Sequence, residues 1–390
     1  MQREFQCYIC DSKKGTEYFS IENYPAYIVP LPQEYAANVA KGFLPLYACN
    51  SCGHMQVPEP DAILQQKIYE EYYNYYVVDS SEALVAHYRN PFTNFLNSLK
   101  AANKFNEGDV LEIGCSSGER VEYFASFGKS YTGVDPSHRI EIARKKYPQN
   151  TFIQGYFPEA LPQNLLFDTI ISQFNLEHIS NVNKFVSNVY TACNSNGLFI
   201  IQVPDANFFT RTKQPNFLAH EHIQYFTKET LAFLLERNGF VPIAWGEDGP
   251  SLICAAQKSA HISTENKINI DSVLAQVKLQ ATLFNQSIEL PNELIFYGVG
   301  PQLYWLLDKF KGNMQNVVVV DDNPDYQNLC LPANNNIIIT ISKELTQQKQ
   351  HIVLSLNSVY HHKVLDKIKS FNIACKVTLC ENGIWKTINI

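Results

Sequence analysis

Several features are missing from this 390-residue sequence, and each absence excludes a class of protein. No apolar run reaches membrane-spanning length, and no charged segment followed by an apolar leader opens the chain. Positive charge is scarce, since 31 Lys and Arg against 38 Asp and Glu leave a formal net charge of −7. Broad contact with nucleic acid depends on Lys and Arg and is therefore not expected. We expect a soluble, cytoplasmic, globular protein with no membrane, nucleic-acid or obligatory protein partner.

The ten cysteines lack a disulfide-like pattern, but four of them form two widely separated CxxC pairs. These are Cys7 and Cys10 in FQCYICDS, and Cys49 and Cys52 in YACNSCGH. Each CxxC can form a tight turn that points two thiolates at one place, and two such turns supply the four ligands of a structural zinc ion. Four unrelated buried cysteines are the alternative. A redox dithiol fits less well, because it needs one CxxC within a βαβ unit.

The order of the predicted elements divides the chain into four parts. Residues 1–61 form the zinc-binding head, which ends at the proline-bearing QVPEPD. Residues 62–258 begin with helices and then alternate strands and helices, which is typical of a doubly wound, mostly parallel sheet. A polar stretch and a helix make a linker at 259–288. Because a second strand, glycine turn and helix follow in 289–390, the predicted fold class is α/β, with two Rossmann-like units behind a small zinc domain.

The first glycine turn lies in VLEIGCSSGERVEYF and reads E-x-G-x-S-x-G, from Glu112 through Gly114 and Ser116 to Gly118. In such a turn the backbone can approach a bound nucleoside closely. The next strand ends at Asp135, about 20 residues beyond the turn, where a carboxylate can accept both ribose hydroxyls. The pattern differs from the dinucleotide fingerprint G-x-G-x-x-G, although an NAD-binding unit remains an alternative.

The turn, the spaced acid, the GYF segment at 155–157 and the strand FDTIISQFNLEHI together resemble the class I methyltransferases, which bind S-adenosylmethionine. The resemblance covers roughly residues 110–258. It implies an adenine site lined by Gly155, Tyr156 and Phe157, and a methionine end near Gln173 and Phe174.

Two histidine-bearing segments follow the cofactor strands. One is LEHIS, with Glu177 and His178, and the other is FLAHEHIQYFT, with Glu221 and His222 between His220 and Tyr225. In a doubly wound sheet both segments are expected near the carboxyl ends of strands, where substrates bind. We therefore expect a catalytic role for them. Zinc binding by the HEH triplet is the main competitor, but its histidines lack the i, i+4 spacing of HExxH.

Nearly the whole chain resembles a narrower family, the sugar C-methyltransferases that methylate a nucleotide-linked 4-ketosugar at the carbon beside its ketone. The segments that carry the resemblance are both CxxC pairs, the tyrosines followed by DSSEALVAHY at 79–88, EIGCSSG, EHI, HEH with YFT, GPSL at 249–252, YGVGP at 297–301 and VVDDNP at 319–324.

This resemblance implies a function and a catalytic set. The substrate would be a nucleotide-diphosphate-linked 4-keto-deoxysugar, the cofactor S-adenosylmethionine, and the zinc purely structural. Since carbon attacks only after the proton beside the ketone is removed, the enzyme needs a base and a donor for the enolate oxygen. His222, oriented by Glu221, would be the base. His178 and Tyr76, preferred over Tyr75, would be the donors.

Three other functions stay open. A methyltransferase on the same fold could act at oxygen or on another carbonyl compound. A binding protein could keep the cofactor fold without turnover. Two departures from the resembled family would suggest this: Ala219 stands where that family often has tyrosine, and the turn at 298–302 lacks the expected lysine. A dehydrogenase could use the second turn, where Gly298, Gly300 and Asp321 have dinucleotide-like spacing.

Overall fold

The computed structural model of the protein describes residues 5–58, 62–70, 72, 90–105, 108–125, 128–213, 218–248, 250–260, 262, 265, 268–345 and 350–390. Tyr75, Tyr76 and the segment 79–88, which the sequence singled out, lie outside these ranges. Within the described ranges, no helix is long and apolar enough to cross a membrane.

The head is built on a four-stranded antiparallel sheet. Three strands come from the head itself, and the fourth is a two-residue strand that follows the HEH triplet much later in the chain. The elements are β1 (Gly15–Pro25), helix α1 (Gln33–Ala36), β2 (Lys41–Cys49), β3 (Met55–Gln56) and, ninth in chain order, β9 (Gln224–Tyr225). The catalytic segment predicted from the sequence is therefore fastened to the head by backbone pairing.

The central unit contains a seven-stranded sheet with helices. Its strands are β4 (Asp109–Ile113), β5 (Ser130–Asp135), β6 (Thr151–Gln154), β7 (Phe167–Gln173), β8 (Cys193–Pro204), β10 (Phe240–Asp248) and β11 (Ser251–Lys258). Its helices are α2 (Ala62–Glu70), α3 (Asn90–Ala101), α4 (Val121–Ala125), α5 (Ile140–Lys146), α6 (Val182–Ala192), α7 (Ala206–Arg211) and α8 (Lys228–Arg237).

The strand order in this sheet is β6-β5-β4-β7-β8-β11-β10. The first five strands are parallel, and β11 runs antiparallel to both of its neighbours. The predicted, mostly parallel core is confirmed, and the sheet ends in the antiparallel pair β10 and β11. The dinucleotide-binding order has no antiparallel strand between its fifth and sixth strands, so this sheet differs from an NAD-binding unit.

A second α/β unit follows helix α9 (Ile270–Phe284). Its strands are β12 (Leu294–Tyr297), β13 (Val317–Val320), β14 (Cys330–Leu331), β15 (Asn334–Thr340), β16 (Gln350–Leu354), β17 (Cys375–Glu381) and β18 (Ile384–Asn389), with helices α10 (Pro301–Lys309) and α11 (His361–Ser370). The order is β14-β15-β13-β12-β16-β17-β18. The five inner strands are parallel and the two edge strands antiparallel. The apolar sequences LIFY and VVVV of β12 and β13 suit parallel strands that are covered on both faces.

The head lies against both α/β units. On one side, the Asn183 side chain at the start of α6 donates hydrogen bonds to the carbonyl oxygens of Tyr8 and Ile9, at 2.7 and 2.9 Å. On the other side, Leu31 of the head exchanges backbone hydrogen bonds with Cys330 of β14 in the second unit, at 3.1 and 2.8 Å. The rings of Phe19 in the head and Phe284 in α9 also stack, with centroids 4.3 Å apart. Apolar contacts of this kind exclude water and stabilise the docking of the units. The head thus connects the central unit with the second one.

Candidate functional site

The four cysteines of the CxxC pairs converge in the head. Their sulfur atoms all lie within 4.8 Å of one another, and the Cys7–Cys52 and Cys10–Cys49 pairs are both 3.5 Å apart. These separations exclude disulfides, whose sulfur atoms are about 2.05 Å apart. Four thiolates at about 2.3 Å from a tetrahedral zinc ion would be roughly 3.8 Å from one another. The donor set therefore fits a structural zinc ion.

Two tight turns produce this convergence. The amide of Asp11 donates to the carbonyl of Cys7 at 3.0 Å, and the amide of Gly53 donates to the carbonyl of Cys49 at 2.8 Å. The amide of Ser51 also donates to the Cys49 sulfur at 3.3 Å. Amide donors of this kind stabilise a thiolate, because hydrogen bonds to a charged group favour its charged form.

The predicted glycine turn joins β4 to α4. Gly114, Ser116 and Gly118 all have left-handed backbone angles, with φ values of +80°, +48° and +76°. At Gly118 the conformation and the space both require glycine, because an added Cβ would lie 2.9 Å from the Ala143 Cβ in α5. Close packing of the turn on α5 therefore depends on this residue.

Asp135 closes the turn from the end of β5. One carboxylate oxygen accepts the amide of Ser116 at 2.8 Å, and the other accepts the amide and hydroxyl of Ser137 at 2.8 and 2.6 Å. The side chain is only 7% exposed. A carboxylate has about four lone-pair sites, so acceptor capacity remains for a ligand hydroxyl. The protein thus holds Asp135 in one orientation beside the turn.

The other residues predicted to contact the cofactor are spread around this turn. The buried Glu112 accepts hydrogen bonds from Arg120 at 3.2 Å and from the Tyr131 hydroxyl at 2.5 Å. Burial raises the pKa of the Glu112 carboxyl. These bonds direct Glu112 toward the protein, so it supports the turn. Tyr156 is 66% exposed, and Phe157 packs edge-on against Phe185 with ring centroids 5.5 Å apart.

Gln173 ends the neighbouring strand, β7, and Phe174 follows it directly. The Gln173 amide donates to the side-chain oxygen of Gln202 at 2.6 Å, while its own Oε1 is buried without a hydrogen-bond partner among the described residues. The next residue but one, Asn175, lies against the glycine turn, since a Cβ on Gly114 would be 3.6 Å from the Asn175 side chain. The carboxyl ends of β4 and β7 therefore share one space.

The two histidine segments meet at this same end of the sheet. His178 lies in the short 3₁₀ turn Leu176–His178 after β7, and its ring centroid is 5.0 Å from that of His222. The backbone amide of Ile223 donates to the carbonyl of Glu177 at 2.8 Å, which joins the segments directly. Both segments therefore lie near the carboxyl end of β7.

The head fixes the HEH triplet from the other side. His54 and Gln224 form a buried side-chain hydrogen bond of 2.6 Å, and the Gln224 amide donates to the carbonyl of Ile179 at 2.8 Å. His220 does not join the histidine pair, because its Nε2 donates to the carbonyl of Tyr24 at 3.1 Å. Of the two histidines in the triplet, His220 supports the loop and only His222 lies beside His178.

Hydrogen bonding fixes the tautomer of His178. Its Nδ1 is 2.8 Å from the carbonyl oxygen of Glu221, which can only accept, so Nδ1 carries the hydrogen. In the neutral ring, Nε2 carries no hydrogen, so His178 can donate from this atom only as an imidazolium. Nε2 lies 3.9 Å from Oε1 of Glu177, and the backbone of Phe174 also takes part in hydrogen bonding to the ring.

Burial favours the neutral forms of this cluster. It raises the pKa of Glu177 to about 8 and lowers the pKa of His178 to about 4. For His222, burial together with nearby His178 lowers the pKa to about 3. Both imidazoles are therefore unprotonated near neutral pH, which leaves a lone pair that can take up a proton.

Comparison with known proteins identifies the central unit. Residues 85–244 match the family model described as "Methyltransferase domain". The centre of this chain is a methyltransferase domain. The turn with Asp135 and the histidine pair all lie within the matched range of this domain.

Similar proteins include methyltransferases of different kinds. C-methyltransferase NovU of Streptomyces niveus is 24% identical over 204 residues, which cover 50% of this chain and 46% of that protein. A ubiquinone biosynthesis O-methyltransferase of Rickettsia canadensis (strain McKiel) is 29% identical over 103 residues, which cover 25% of this chain and 44% of that protein. The chain spans about half the length of these relatives. N-methyltransferase NodS from Bradyrhizobium japonicum WM9, in complex with S-adenosyl-L-homocysteine, has a TM-score of 0.39 at 16% identity over 49% of this chain and 98% of that chain.

Sequence reasoning missed the contacts of two residues, Arg139 and Glu177, in the methyltransferase domain. Arg139 donates to the hydroxyls of Ser116 and Ser117 at 3.1 Å, which braces the outer side of the glycine turn. Glu177 was noted only as the neighbour of His178, although it is 1% exposed and directly faces that ring. An acid beside a histidine after a predicted strand was the available signal for Glu177.

Proposed function

We propose that this protein is an S-adenosylmethionine-dependent C-methyltransferase that acts on a nucleotide-diphosphate-linked 4-keto-deoxysugar, at the carbon beside the ketone. One observation carries the proposal: the pair His178 and His222 lies at the carboxyl end of β7, and Asn175 at that same end lies against the glycine turn that follows β4. A proton acceptor and a nucleoside site thus share one end of the sheet. The similarity to a C-methyltransferase and the zinc-fitting head add support.

His222 is proposed as the general base. Its lowered pKa keeps the imidazole neutral near pH 7, so its lone pair can accept the proton beside the ketone. A base with so low a pKa is weak, so the imidazolium that forms needs a negative charge or an acceptor beside it. Glu177 lies within the same cluster, and because its pKa of about 8 keeps it protonated near pH 7, it can stabilise the imidazolium as a carboxylate only after it loses its proton. The original assignment of Glu221 as the residue that orients His222 stays a prediction.

The developing enolate oxygen needs a hydrogen-bond donor. His178 can fill that role from Nε2 only after taking up a proton, because its Nδ1 hydrogen is held by the Glu221 carbonyl. Proton transfer within the histidine pair would create this donor at the moment when the enolate forms. Tyr76, the second proposed donor, lies outside the described residues.

The residues of the glycine turn fit the proposed cofactor. Asp135 would accept the ribose hydroxyls, and the buried, unpartnered Oε1 of Gln173 offers an acceptor near the methionine end. When bound, S-adenosylmethionine would supply an electrophilic methyl group. The protein's main contribution would be to hold the carbanion and this methyl group in line. Zinc would stay structural, because four thiolates leave no open coordination position.

Deuterium exchange tests the proposed base. The wild-type protein, given a nucleotide-linked 4-ketosugar and an unreactive cofactor analogue, should exchange the proton beside the ketone with deuterated solvent. His222→Asn should lose both this exchange and methylation while its affinity for S-adenosylhomocysteine is retained. His362→Asn, at an exposed position on α11, is the matched control and should behave as wild type. Full exchange by His222→Asn, with only methyl transfer impaired, would contradict the base assignment.

O-methylation is the second candidate, because one of the similar proteins is an O-methyltransferase. An O-methyltransferase needs a base for a hydroxyl but forms no enolate. Labelled S-adenosylmethionine and a panel of nucleotide-linked ketosugars separate the two functions. Mass added on oxygen, without deuterium exchange at carbon, would favour the second candidate.

A further inference from the structure

The buried side chain of Gln224 connects the two histidine segments with the head. Gln224 lies two residues after His222, at the start of β9, and is only 1% exposed. Its Nε2 donates to the carbonyl of Ile179 at 2.8 Å, and Ile179 directly follows His178. Its Oε1 accepts a hydrogen bond from Nε2 of His54 in the head, at 2.6 Å. One amide therefore joins the loop of His222 both to the segment of His178 and to the head.

These contacts fix the orientation of the amide. Carbonyl oxygens can only accept, and Nε2 of Gln224 faces two of them, those of Ile179 and Ser180, at 2.8 and 3.5 Å. The opposite end, Oε1, is then the acceptor for His54. Leucine has neither group, and an ionised carboxylate has no hydrogen to donate. The position thus requires a side chain with a donor at one end and an acceptor at the other.

The amide adds a second attachment beside His178. The backbone amide of Ile223 donates to the carbonyl of Glu177 at 2.8 Å, which attaches the loop to the residue before His178. The Gln224 side chain attaches the same loop to Ile179, the residue after His178. Two attachments on either side of one residue restrict its rotation, whereas a single attachment leaves a pivot.

We propose that Gln224 is a positioning residue that sets the distance and angle between the rings of His178 and His222. The ring centroids are 5.0 Å apart, and the ring planes are inclined at 67°. The inference rests on the proposed function, because proton transfer to and within the histidine pair depends on this geometry. A displacement of about 1 Å in a catalytic group can lower a rate by about 100-fold. Gln224 acts through the two histidines and is assigned no contact with the substrate.

The neighbouring strand offers a matched control, Gln56. This residue pairs with Gln224 across β3 and β9 and is similarly buried. Its Nε2 donates to the carbonyl of Gln6 at 2.7 Å, and its Oε1 accepts the amide of Tyr8 at 2.9 Å. Gln224→Leu and Gln56→Leu therefore each leave one carbonyl and one donor without the amide. Only the first change involves a histidine segment of the methyltransferase domain.

Histidine ring spectra and proton exchange test the positioning role. Ring ¹H–¹⁵N correlations of His178 and His222, assigned from His178→Asn and His222→Asn, need no substrate. Both sets of signals should shift in Gln224→Leu and keep their wild-type positions in Gln56→Leu. Gln224→Leu should also exchange the proton beside the ketone at least about tenfold more slowly, with the nucleotide-linked 4-ketosugar that the wild type accepts best. Its affinity for S-adenosylhomocysteine should stay at the wild-type value, which a general structural defect would lower as well.

Two results would overturn the proposal. One is wild-type ring signals for both histidines in Gln224→Leu. The other is an equal shift in the two glutamine variants, which would mean that the whole head had loosened. Gln224→Asn, whose amide is one methylene too short to reach both partners, provides the same test if Gln224→Leu fails to fold. A wild-type protein that accepts no ketosugar would contradict the proposed function, while the ring spectra would still decide the role of Gln224.

Discussion

The two glycine turns of this protein have nearly the same backbone but different surroundings. The amide of Gly114 donates a 2.9 Å hydrogen bond to the carbonyl of Val134 near the end of the neighbouring strand. The amide of Gly298 donates a 2.8 Å hydrogen bond to the carbonyl of Val320 in the same way. In each unit an aspartate at the end of the second strand then closes the turn. Asp321 accepts amides from Val299 and Asn323 at 2.8 Å, as Asp135 does from two serines.

The neighbouring strand ends differ. In the methyltransferase domain, β7 leads into Asn175, which lies against the turn, and then into His178, which lies beside His222. In the second unit, β16 leads into Ser355, whose hydroxyl donates to the carbonyl of Gly298 at 2.5 Å, and into Leu356. A Cβ on Gly298 would be only 2.7 Å from the Leu356 side chain, so this turn is covered. A glycine turn that is closed by an aspartate is therefore, in the first place, a structural connection between a strand and the following helix. Function depends on the side chains that the next strand supplies.

Loss of the zinc site in the head should affect the two α/β units most differently. Cys49→Ser removes one of four thiolates, and we expect loss of bound zinc and a drop of more than about 4 kcal/mol in the stability of the head. Since β3 pairs with β9, hydrogen exchange at 218–226 should rise much more than at 294–320. Elemental analysis and hydrogen-exchange mass spectrometry check both effects. Full zinc content with wild-type exchange would refute the assignment of the head.

Paired aspartate variants test which turn binds the cofactor. Asp135→Ala should weaken S-adenosylhomocysteine binding by about 1.5 to 3 kcal/mol, or roughly 10- to 150-fold, because the ribose loses a charged acceptor. Asp321→Ala removes equivalent closing hydrogen bonds and should leave this affinity unchanged. Calorimetry measures both constants. Equal losses in the two variants would mean that the effect is structural.

Paired glycine variants should give the smallest difference. Gly118→Ala should lower stability by about 1 to 3 kcal/mol, since φ is +76° and the new Cβ would approach Ala143 to 2.9 Å. Gly300→Ala should change stability by less than about 0.5 kcal/mol, because Gly300 is extended, with φ of 165°, and no atom lies within 4 Å of the added Cβ. Thermal unfolding midpoints report the comparison. A larger loss in Gly300→Ala would show that the second turn is packed more tightly than the first.

Much of the fold could be predicted because its signals are local. The sequence predicted a strand that ends at Asp135, and the structure has β5 over Ser130–Asp135. The acid that ends this strand also lies beside the predicted turn. The pairwise spacing of cysteines predicted a shared site, and the four sulfur atoms do converge. Each of these signals spans a few residues whose spacing constrains the backbone directly.

The backbone pairing that holds the loop of His222 could not be predicted in the same way. The pairing of Met55 with Tyr225 joins strands of two residues each, and backbone hydrogen bonds leave no signature in residue type. Nor could sequence separate His220, which bonds to Tyr24 in the head, from His222, which lies beside His178. Both histidines belong to one triplet, and only the path of the loop decides which side each ring takes.

The sequence by itself determined the strands, the glycine turns and the thiolate pairs, because their periodicity and spacing act over short stretches of chain. Only the tertiary structure decided that the loop of His222 leads into the edge strand of the head's sheet. It also decided that Glu177 is buried against His178, with one oxygen that has no hydrogen-bond partner in the part of the chain that the structure describes. These facts depend on contacts between distant segments. Their energies come from packing and desolvation, which no single segment of the chain contains.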